Sequence, residues 1–130
     1  MSVVLDASAL IAFFKREPGA DVVERSLRDA VVSAVNLSEV LDKSGLQQVD
    51  YARVTSLLRN WNVDIAPFDA EQAALAATIR QRLGRSDISF ADRACLALAQ
   101  HHALPAVTAD RLWRSFDIGI EIQLIRGEVN

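Results

Sequence analysis

Short runs of apolar, mostly β-branched residues alternate along this chain with segments of helical periodicity, and this alternation constrains the fold more than any other feature. The apolar runs lie at residues 2–5, 30–35, 63–66, 105–108 and 121–125. The helical segments lie at residues 7–14, 20–29, 36–45, 51–60, 69–83 and 89–102. Strands that are apolar throughout are typical of parallel sheets buried on both faces. The pattern therefore predicts an α/β sandwich with a mostly parallel sheet between helices.

Length and cysteine content narrow the class of protein. The chain has 130 residues, which is enough for a single domain spanning residues 1–130. Its only cysteine is Cys95, which falls on an apolar helix face and is expected to be a small core residue. An intrachain disulfide and a cysteine-based zinc cluster are thereby excluded, and a reducing cytoplasm is the expected setting.

Charge and hydropathy argue against a membrane protein and give little support to a general nucleic-acid binder. The net charge is -3, whereas nucleic-acid binders are usually basic. The apolar start of the chain contains Asp6 and lacks the basic region of a signal peptide. No apolar stretch approaches the roughly 20 residues that a membrane span needs. We therefore expect a soluble cytoplasmic protein with no membrane contact.

Acidic residues stand where an α/β fold places its ligands. Asp6, Glu39 and Asp110 lie just after the carboxyl ends of predicted strands, at most about one helical turn away. Asp92 lies in the first turn of a predicted helix. Ligands of open α/β sheets bind at this edge, where the strand order reverses. Because neighbouring carboxylates repel one another, a divalent cation would relieve the cost, and all-oxygen ligands favour Mg²⁺ or Mn²⁺. Such ions activate water and neutralise charge on a phosphodiester.

Each of these acids also has a structural explanation as a helix cap. Two of them follow Asn36 and Ser89 at the spacing of a capping box. The other two would be simple N-caps, which satisfy free backbone N–H groups. Asp69 fits the same description, and the pattern alone does not separate it from Asp110.

Four segments together resemble the PIN-domain nucleases, and in particular the VapC toxins of bacterial toxin–antitoxin pairs. They are VLDASAL at 4–10, NLSEVL at 36–41, SFADRACLALA at 89–99 and TAD at 108–110. The segments occur in order over nearly the whole chain. The resemblance implies a three-layer α/β/α fold with a parallel sheet of about five strands. It further implies a Mg²⁺- or Mn²⁺-dependent endoribonuclease that cleaves single-stranded or looped RNA, forms a homodimer and is inhibited by a VapB-type antitoxin.

Roles can be assigned on that basis. Asp6 and Asp92 are expected to bind the cation directly, while Glu39 and Asp110 orient its bound water or a second ion. Supporting roles are expected for the hydroxyls of Ser8 and Thr108, which stand beside the acids and can hold them in place; ordinary helix-entry and strand-end hydrogen bonding is the other explanation. An additional acid, as found in the most acid-rich PIN sites, would be Asp117 or Asp87.

Candidate phosphate contacts are less closely defined. The basic residues nearest the four segments are Arg85, Arg93 and Arg111, and these are the predicted RNA contacts. Lys43 lies four residues after Glu39, a spacing typical of an ion pair on a helix surface. The aromatic residues best explained by core packing or a dimer contact are Phe13, Phe14, Trp61, Trp113 and Phe116.

Three other interpretations of the acids fit the sequence less well. A receiver domain needs a phospho-accepting Asp at the end of its third strand and a Lys after its fifth, and this chain has neither. A haloacid-dehalogenase phosphatase needs a second Asp at position 8, where this chain has Ser8. A non-catalytic RNA- or protein-binding module would not need all four acids.

Overall fold

The computed structural model describes residues 2–43, 50–84 and 87–127. Its sheet has five strands, all paired in parallel, in the order β3-β2-β1-β4-β5. The strands are β1 (Val4–Leu5), β2 (Val31–Ser33), β3 (Asp64–Ala66), β4 (Ala106–Thr108) and β5 (Ile122–Leu124). The chain builds outward from β1 to β3 and then continues on the other side of β1 with β4 and β5. The order therefore reverses between β1 and β4, and the predicted parallel sheet is confirmed.

Six α-helices cover this sheet in the part of the chain that the structure describes. They are α1 (Ala7–Lys15), α2 (Ala20–Leu27), α3 (Ala34–Lys43), α4 (Tyr51–Asn60), α5 (Ala70–Leu83) and α6 (Phe90–His102). A short 3₁₀ helix at Arg111–Ser115, which the sequence pattern did not predict, follows β4. No described helix is long and apolar enough to cross a membrane.

The hydrophobic core has two parts, one on each face of the sheet. Leu5 and Val107 belong to the part that packs under α1 to α4, whereas their neighbours Val4 and Ala106 belong to the part under α5 and α6. Successive strand residues point to opposite faces of a sheet, so β1 to β4 each contribute to both parts. The predicted three-layer arrangement is thereby confirmed.

Residues that were expected to serve only in packing do so. Cys95 and Trp113 are fully buried in the core under α5 and α6, and Phe116 lies beside them. Phe13 and Trp61 are half-buried, contact each other edge to face, and pack against the other part of the core.

The start of α3 differs from the prediction. The helix begins at Ala34 rather than at Asn36, and the hydroxyl of Ser33 accepts the backbone N–H of Val35 at 3.2 Å. Asn36 is therefore inside the helix, and the capping box predicted from Asn36 to Glu39 was wrong. Val35 is β-branched, so the sequence pattern extended the predicted strand as far as that residue. The helix instead begins directly after Ser33, whose hydroxyl accepts a free N–H of its first turn.

Candidate active site

The four predicted acids line one cavity. Its volume is about 210 Å³, and its walls also include Ala7, Ser8, Ile11 and Lys43. Asp6 follows β1 and Asp110 follows β4, so these two carboxylates stand at the carboxyl ends of adjacent strands where the order reverses. Glu39 projects from α3 and Asp92 from the first turn of α6. Four distant segments of the chain therefore bring their carboxylates to one place.

Asp6 is the buried member of this group, with 5% of its surface exposed. Its Oδ2 accepts a hydrogen bond from Thr108 Oγ1 at 2.6 Å. Its Oδ1 accepts from the backbone N–H of Ala9 at 2.9 Å and from Ser8 Oγ at 2.8 Å. Three donors therefore fix the orientation of this carboxylate at the base of the cavity.

Hydroxyl groups extend this network to the fourth strand. Ser8 Oγ accepts the backbone N–H of Ala109 at 2.9 Å, and Thr108 Oγ1 accepts the N–H of Asp110 at 3.0 Å. Each hydroxyl thus accepts from the segment after β4 while it donates to Asp6. Because of these bonds, the carboxyl ends of β1 and β4 are tied together directly beneath the carboxylates.

Negative charge in the cavity is only partly compensated. Burial raises the pKa of Asp6 to about 6, although its hydrogen bonds to Thr108, Ala9 and Ser8 oppose the rise. The pKa of Asp92 is also raised, first by burial and then by the charges of Glu39 and Asp110, against the hydrogen bonds from Ser89. A cation in this cavity would lower both pKa values by favouring the ionised forms.

Three of the acids act as helix caps as well. Asp6 caps α1, and Asp110 caps the 3₁₀ helix by accepting the N–H of Leu112 at 3.0 Å. Ser89 and Asp92 form the predicted capping box, in which Ser89 Oγ accepts the N–H of Asp92 at 3.0 Å. Capping and convergence are therefore compatible, since the free N–H groups of these helices lie at the same edge of the sheet.

Asn36 connects two elements of the site, and sequence reasoning missed this role. Its Nδ2 donates to the carbonyl of Ala91 at 3.0 Å, which joins α3, the helix of Glu39, to the residue before Asp92. Asn36 is 1% exposed, and its Oδ1 has no hydrogen-bond partner. The sequence offered one signal that Asn36 is buried. Asn36 lies four residues before the apolar Val40, and residues four apart share one face of a helix.

Two of the predicted RNA contacts, Arg93 and Arg111, lie outside the walls of this cavity. Arg93 donates to the carbonyl of Ala76 at 3.5 Å, with its guanidinium 5.7 Å from the ring centre of Phe90. Arg111 donates to the carbonyl of Gly127 at 3.3 Å. Arg85 lies outside the described residues. Lys43, in contrast, forms the expected ion pair with Glu39 at 2.8 Å and does line the cavity.

The remaining acids named from the sequence stand apart. Asp117 and Asp87 are exposed and do not line the cavity. Asp69 caps α5 by accepting the N–H of Gln72 at 2.9 Å. It groups with Glu71 and His101, at the opposite end of α6 from Asp92, where their ligand atoms lie within 4.8 Å of one another. The structure thus separates Asp69 from Asp110, which the sequence pattern did not.

Comparison with known protein families identifies the family of this chain. Residues 3–119 match the family model described as PIN domain. The chain belongs to the PIN domain family. PIN domains form a family of nucleases, which places the chain among hydrolases that act on nucleic acid. This assignment decides against the receiver and phosphatase interpretations. No curated protein sequence matches the chain significantly.

Solved structures show the same PIN fold at low sequence identity. A VapBC complex of Salmonella typhimurium bound to DNA matches with a TM-score of 0.74 and 18% identity over 97% of this chain and 99% of that one. A toxin–antitoxin complex of Klebsiella pneumoniae gives 0.73 and 20% over 92% and 99%. Mycobacterium tuberculosis VapC20, described as a toxin that cleaves the sarcin-ricin loop, gives 0.62 and 15% over 92% and 98%.

The donor set of this PIN domain fits a hard divalent cation. Four carboxylates face one cavity, and the raised pKa values of Asp6 and Asp92 arise from burial and like charge that such a cation would offset. Carboxylate oxygens are the ligands that Mg²⁺ and Mn²⁺ prefer. Among the described residues, the group of three whose ligand atoms all lie within 4.8 Å of one another is Asp69, Glu71 and His101. No three of the four cavity acids therefore bring their carboxylate oxygens that close together.

Proposed function

We propose that this PIN domain is a metal-dependent endoribonuclease that acts as the toxin of a VapBC-type pair. The observation that carries the proposal is the convergence of Asp6, Glu39, Asp92 and Asp110 on one cavity. Capping would need one acid at each helix start, but it would not need all four to face the same space. A shared cavity of carboxylates is what binding of a divalent cation requires.

Asp6 and Asp92 are the proposed direct ligands, and Glu39 and Asp110 the residues that orient water or a second ion. A divalent cation, Mg²⁺ or Mn²⁺, would lower the pKa of a bound water and neutralise charge on the phosphodiester. Thr108 and Ser8 support this arrangement by donating to Asp6, which fixes the orientation of its carboxylate at the base of the cavity. Asn36 joins α3 to the first turn of α6, the two helices that bring Glu39 and Asp92 to the cavity.

RNA is the proposed substrate, and a VapB-type antitoxin the proposed partner. VapC20, which has the same fold, is described as a toxin that cleaves the sarcin-ricin loop, and several of the matching structures are toxin–antitoxin complexes. A single-stranded or looped RNA suits an open cavity at a sheet edge, because its backbone is not held in a duplex. We further propose that the protein acts in the cytoplasm as a homodimer. The arginines near the motifs, Arg85, Arg93 and Arg111, remain the proposed RNA contacts.

Cleavage of purified RNA tests the proposal. The protein is expected to cut single-stranded RNA with Mn²⁺ or Mg²⁺ and to stop when a chelator is added. Asp6→Asn and Asp92→Asn, which keep the side-chain shape but remove the charge, are expected to lower the rate at least 100-fold, in the range seen when a main catalytic group is lost.

Asp69→Asn is the matched control for that assay. Asp69 caps a helix with the same 2.9 Å bond from a backbone N–H that Asp6 makes, yet it lies outside the cavity. We expect this variant to cleave RNA at the wild-type rate. Equal cleavage by all four proteins, or cleavage that persists in chelator, would refute the proposed function.

A further inference from the structure

Lys43 occupies a position that the proposed function does not explain. It is the basic side chain that lines the acidic cavity within the described part of the chain. It also lines a second cavity of about 550 Å³, which shares Glu39 and Lys43 with the first and extends to Tyr51. Lys43 and Glu39 therefore stand where the two cavities meet.

The ion pair with Glu39 does not hold Lys43 firmly. Exposed pairs of this spacing contribute little to stability. The Lys43 side chain is 62% exposed, whereas that of Glu39 is 19% exposed. The ammonium can therefore leave for solvent or for another anion while the carboxylate stays in the cavity.

Because the cavity is negatively charged, a mobile Lys43 ammonium can assist the binding of nucleic acid. Four carboxylates repel a nucleic-acid backbone, so the strand needs cations at the point where it enters. A lysine ammonium binds phosphate as a point charge and needs no fixed orientation. Arg93 and Arg111 contact backbone carbonyls elsewhere, which leaves Lys43 as the cation inside the cavity walls.

We propose that Lys43 is a phosphate-binding residue of this site: on entry of RNA its ammonium leaves Glu39 and binds a phosphate oxygen beside the cleaved linkage. The inference rests on the proposed ribonuclease function. It has a second consequence, because in the free protein Lys43 neutralises Glu39 and so competes with a divalent cation for that carboxylate. Lys43 therefore favours RNA binding and opposes cation binding.

Replacement of Lys43 by glutamine tests both consequences. Binding of fluorescein-labelled single-stranded RNA is measured by anisotropy in chelator at several salt concentrations. Lys43→Gln is expected to weaken binding about 5- to 10-fold at low salt and to reduce the slope of log affinity against log salt by about 0.7, the value for one phosphate contact on a single strand. Lys43→Arg keeps the charge and is expected to retain most of the affinity.

Arg25→Gln is the matched control. Arg25 pairs with Asp21 at the same i,i+4 spacing on α2, at 3.6 Å and with both side chains exposed, and neither residue lines the cavity. The variant loses the same charge, so it reports the effect of net charge alone. We expect its RNA affinity and salt slope to match those of the wild type.

Calorimetric titration with Mn²⁺ in the absence of RNA gives the second measurement. Lys43→Gln is expected to bind Mn²⁺ several-fold more tightly than either the wild type or Arg25→Gln. An ion pair that serves only to stabilise α3 would not shift RNA affinity and Mn²⁺ affinity in opposite directions.

The outcomes separate this inference from the proposed function. If Lys43→Gln matches Arg25→Gln in RNA affinity, salt slope and Mn²⁺ affinity, the role of Lys43 is overturned, while metal-dependent cleavage by the wild type keeps the ribonuclease function. If the wild type neither binds nor cleaves RNA, both fall together.

Discussion

Replacing Asp6 with Asn is expected to stabilise the metal-free protein at alkaline pH. The pKa of Asp6 rises from its ordinary 3.8 to about 6 on folding, mainly through burial. Ionisation of this group therefore opposes folding by about 3 kcal/mol at pH 8, but by only about 0.5 kcal/mol at pH 4. The penalty is absent below the unfolded pKa, grows as the pH rises from 3.8 to 6, and is constant above that range.

Asparagine removes this penalty and keeps most of the contacts of Asp6. It caps helices as well as aspartate does, so the bond from the N–H of Ala9 can be kept. The hydroxyl of Ser8 can continue to donate to the amide oxygen, while that of Thr108 can reverse and accept from the amide nitrogen, at a cost of about 1 kcal/mol for imperfect geometry. That cost does not depend on pH. The stability difference between variant and wild type should therefore shift by roughly 2.5 kcal/mol in favour of the variant between pH 4 and pH 8.

Urea unfolding of both proteins in chelator, at several pH values from 4 to 8, measures this difference. The chelator matters because a bound cation would stabilise the ionised carboxylate and hide the effect. Asp69→Asn replaces an exposed capping carboxylate, so it shows how the loss of such a carboxylate alone changes the free energy of unfolding over the same pH range. A difference between Asp6→Asn and wild type that stays constant with pH would refute the reasoning about uncompensated charge.

Three further changes test the support of the site. Thr108→Val keeps the shape but removes the hydroxyl that donates to the buried carboxylate, and should lower stability at neutral pH by about 1.5–3 kcal/mol, measured by urea unfolding; an unchanged midpoint would contradict it. Asn36→Leu breaks the bond to Ala91 and should cut the cleavage rate about tenfold while stability stays within about 1 kcal/mol, and wild-type kinetics would argue against a positioning role. Ser89→Ala removes half of the capping box with Asp92 and should lower the free energy of unfolding by about 1 kcal/mol, an expectation that fails if thermal melts superimpose.

The strands and α-helices of the fold were predictable because each carries its own local signal, whereas the 3₁₀ helix at Arg111–Ser115 was not predicted. The short apolar runs identified all five strands, and α4 was predicted with the bounds that the structure shows. The boundary between β2 and α3 was misplaced, because Val35 fits a strand by propensity while the hydrogen bond that begins the helix comes from Ser33. Local sequence patterns thus predict which helices and strands form, but hydrogen bonds and packing in the folded protein decide at which residue each element ends.

The four acids were singled out by the family resemblance, whereas the pattern of strand ends and helix caps alone could not distinguish them from Asp69 without the order of the strands. Asp69 and Asp110 both follow a strand and both cap a helix. They differ because β4 is the neighbour of β1, whereas β3 lies at the edge of the sheet, two strands away. Strand order depends on long-range pairing, which one sequence does not display.

Side-chain partners were the least predictable part of the site. Lys43 and Glu39 have the spacing of an ordinary surface ion pair, and only the cavity walls show that this pair belongs to the site. Asn36 resembled a helix cap, but it is a buried link between two helices. Such roles depend on which element packs against the residue, so periodicity along the chain does not reveal them.

Binding of Mn²⁺, measured by calorimetry on the wild type, Asp92→Asn and Asp69→Asn, tests the central claim most directly. It compares the cavity of four carboxylates with the separate group of Asp69, Glu71 and His101. We expect Asp92→Asn to lose at least tenfold in affinity and Asp69→Asn to bind as the wild type does. Mn²⁺ binding that survives in Asp92→Asn and is lost in Asp69→Asn would contradict the account.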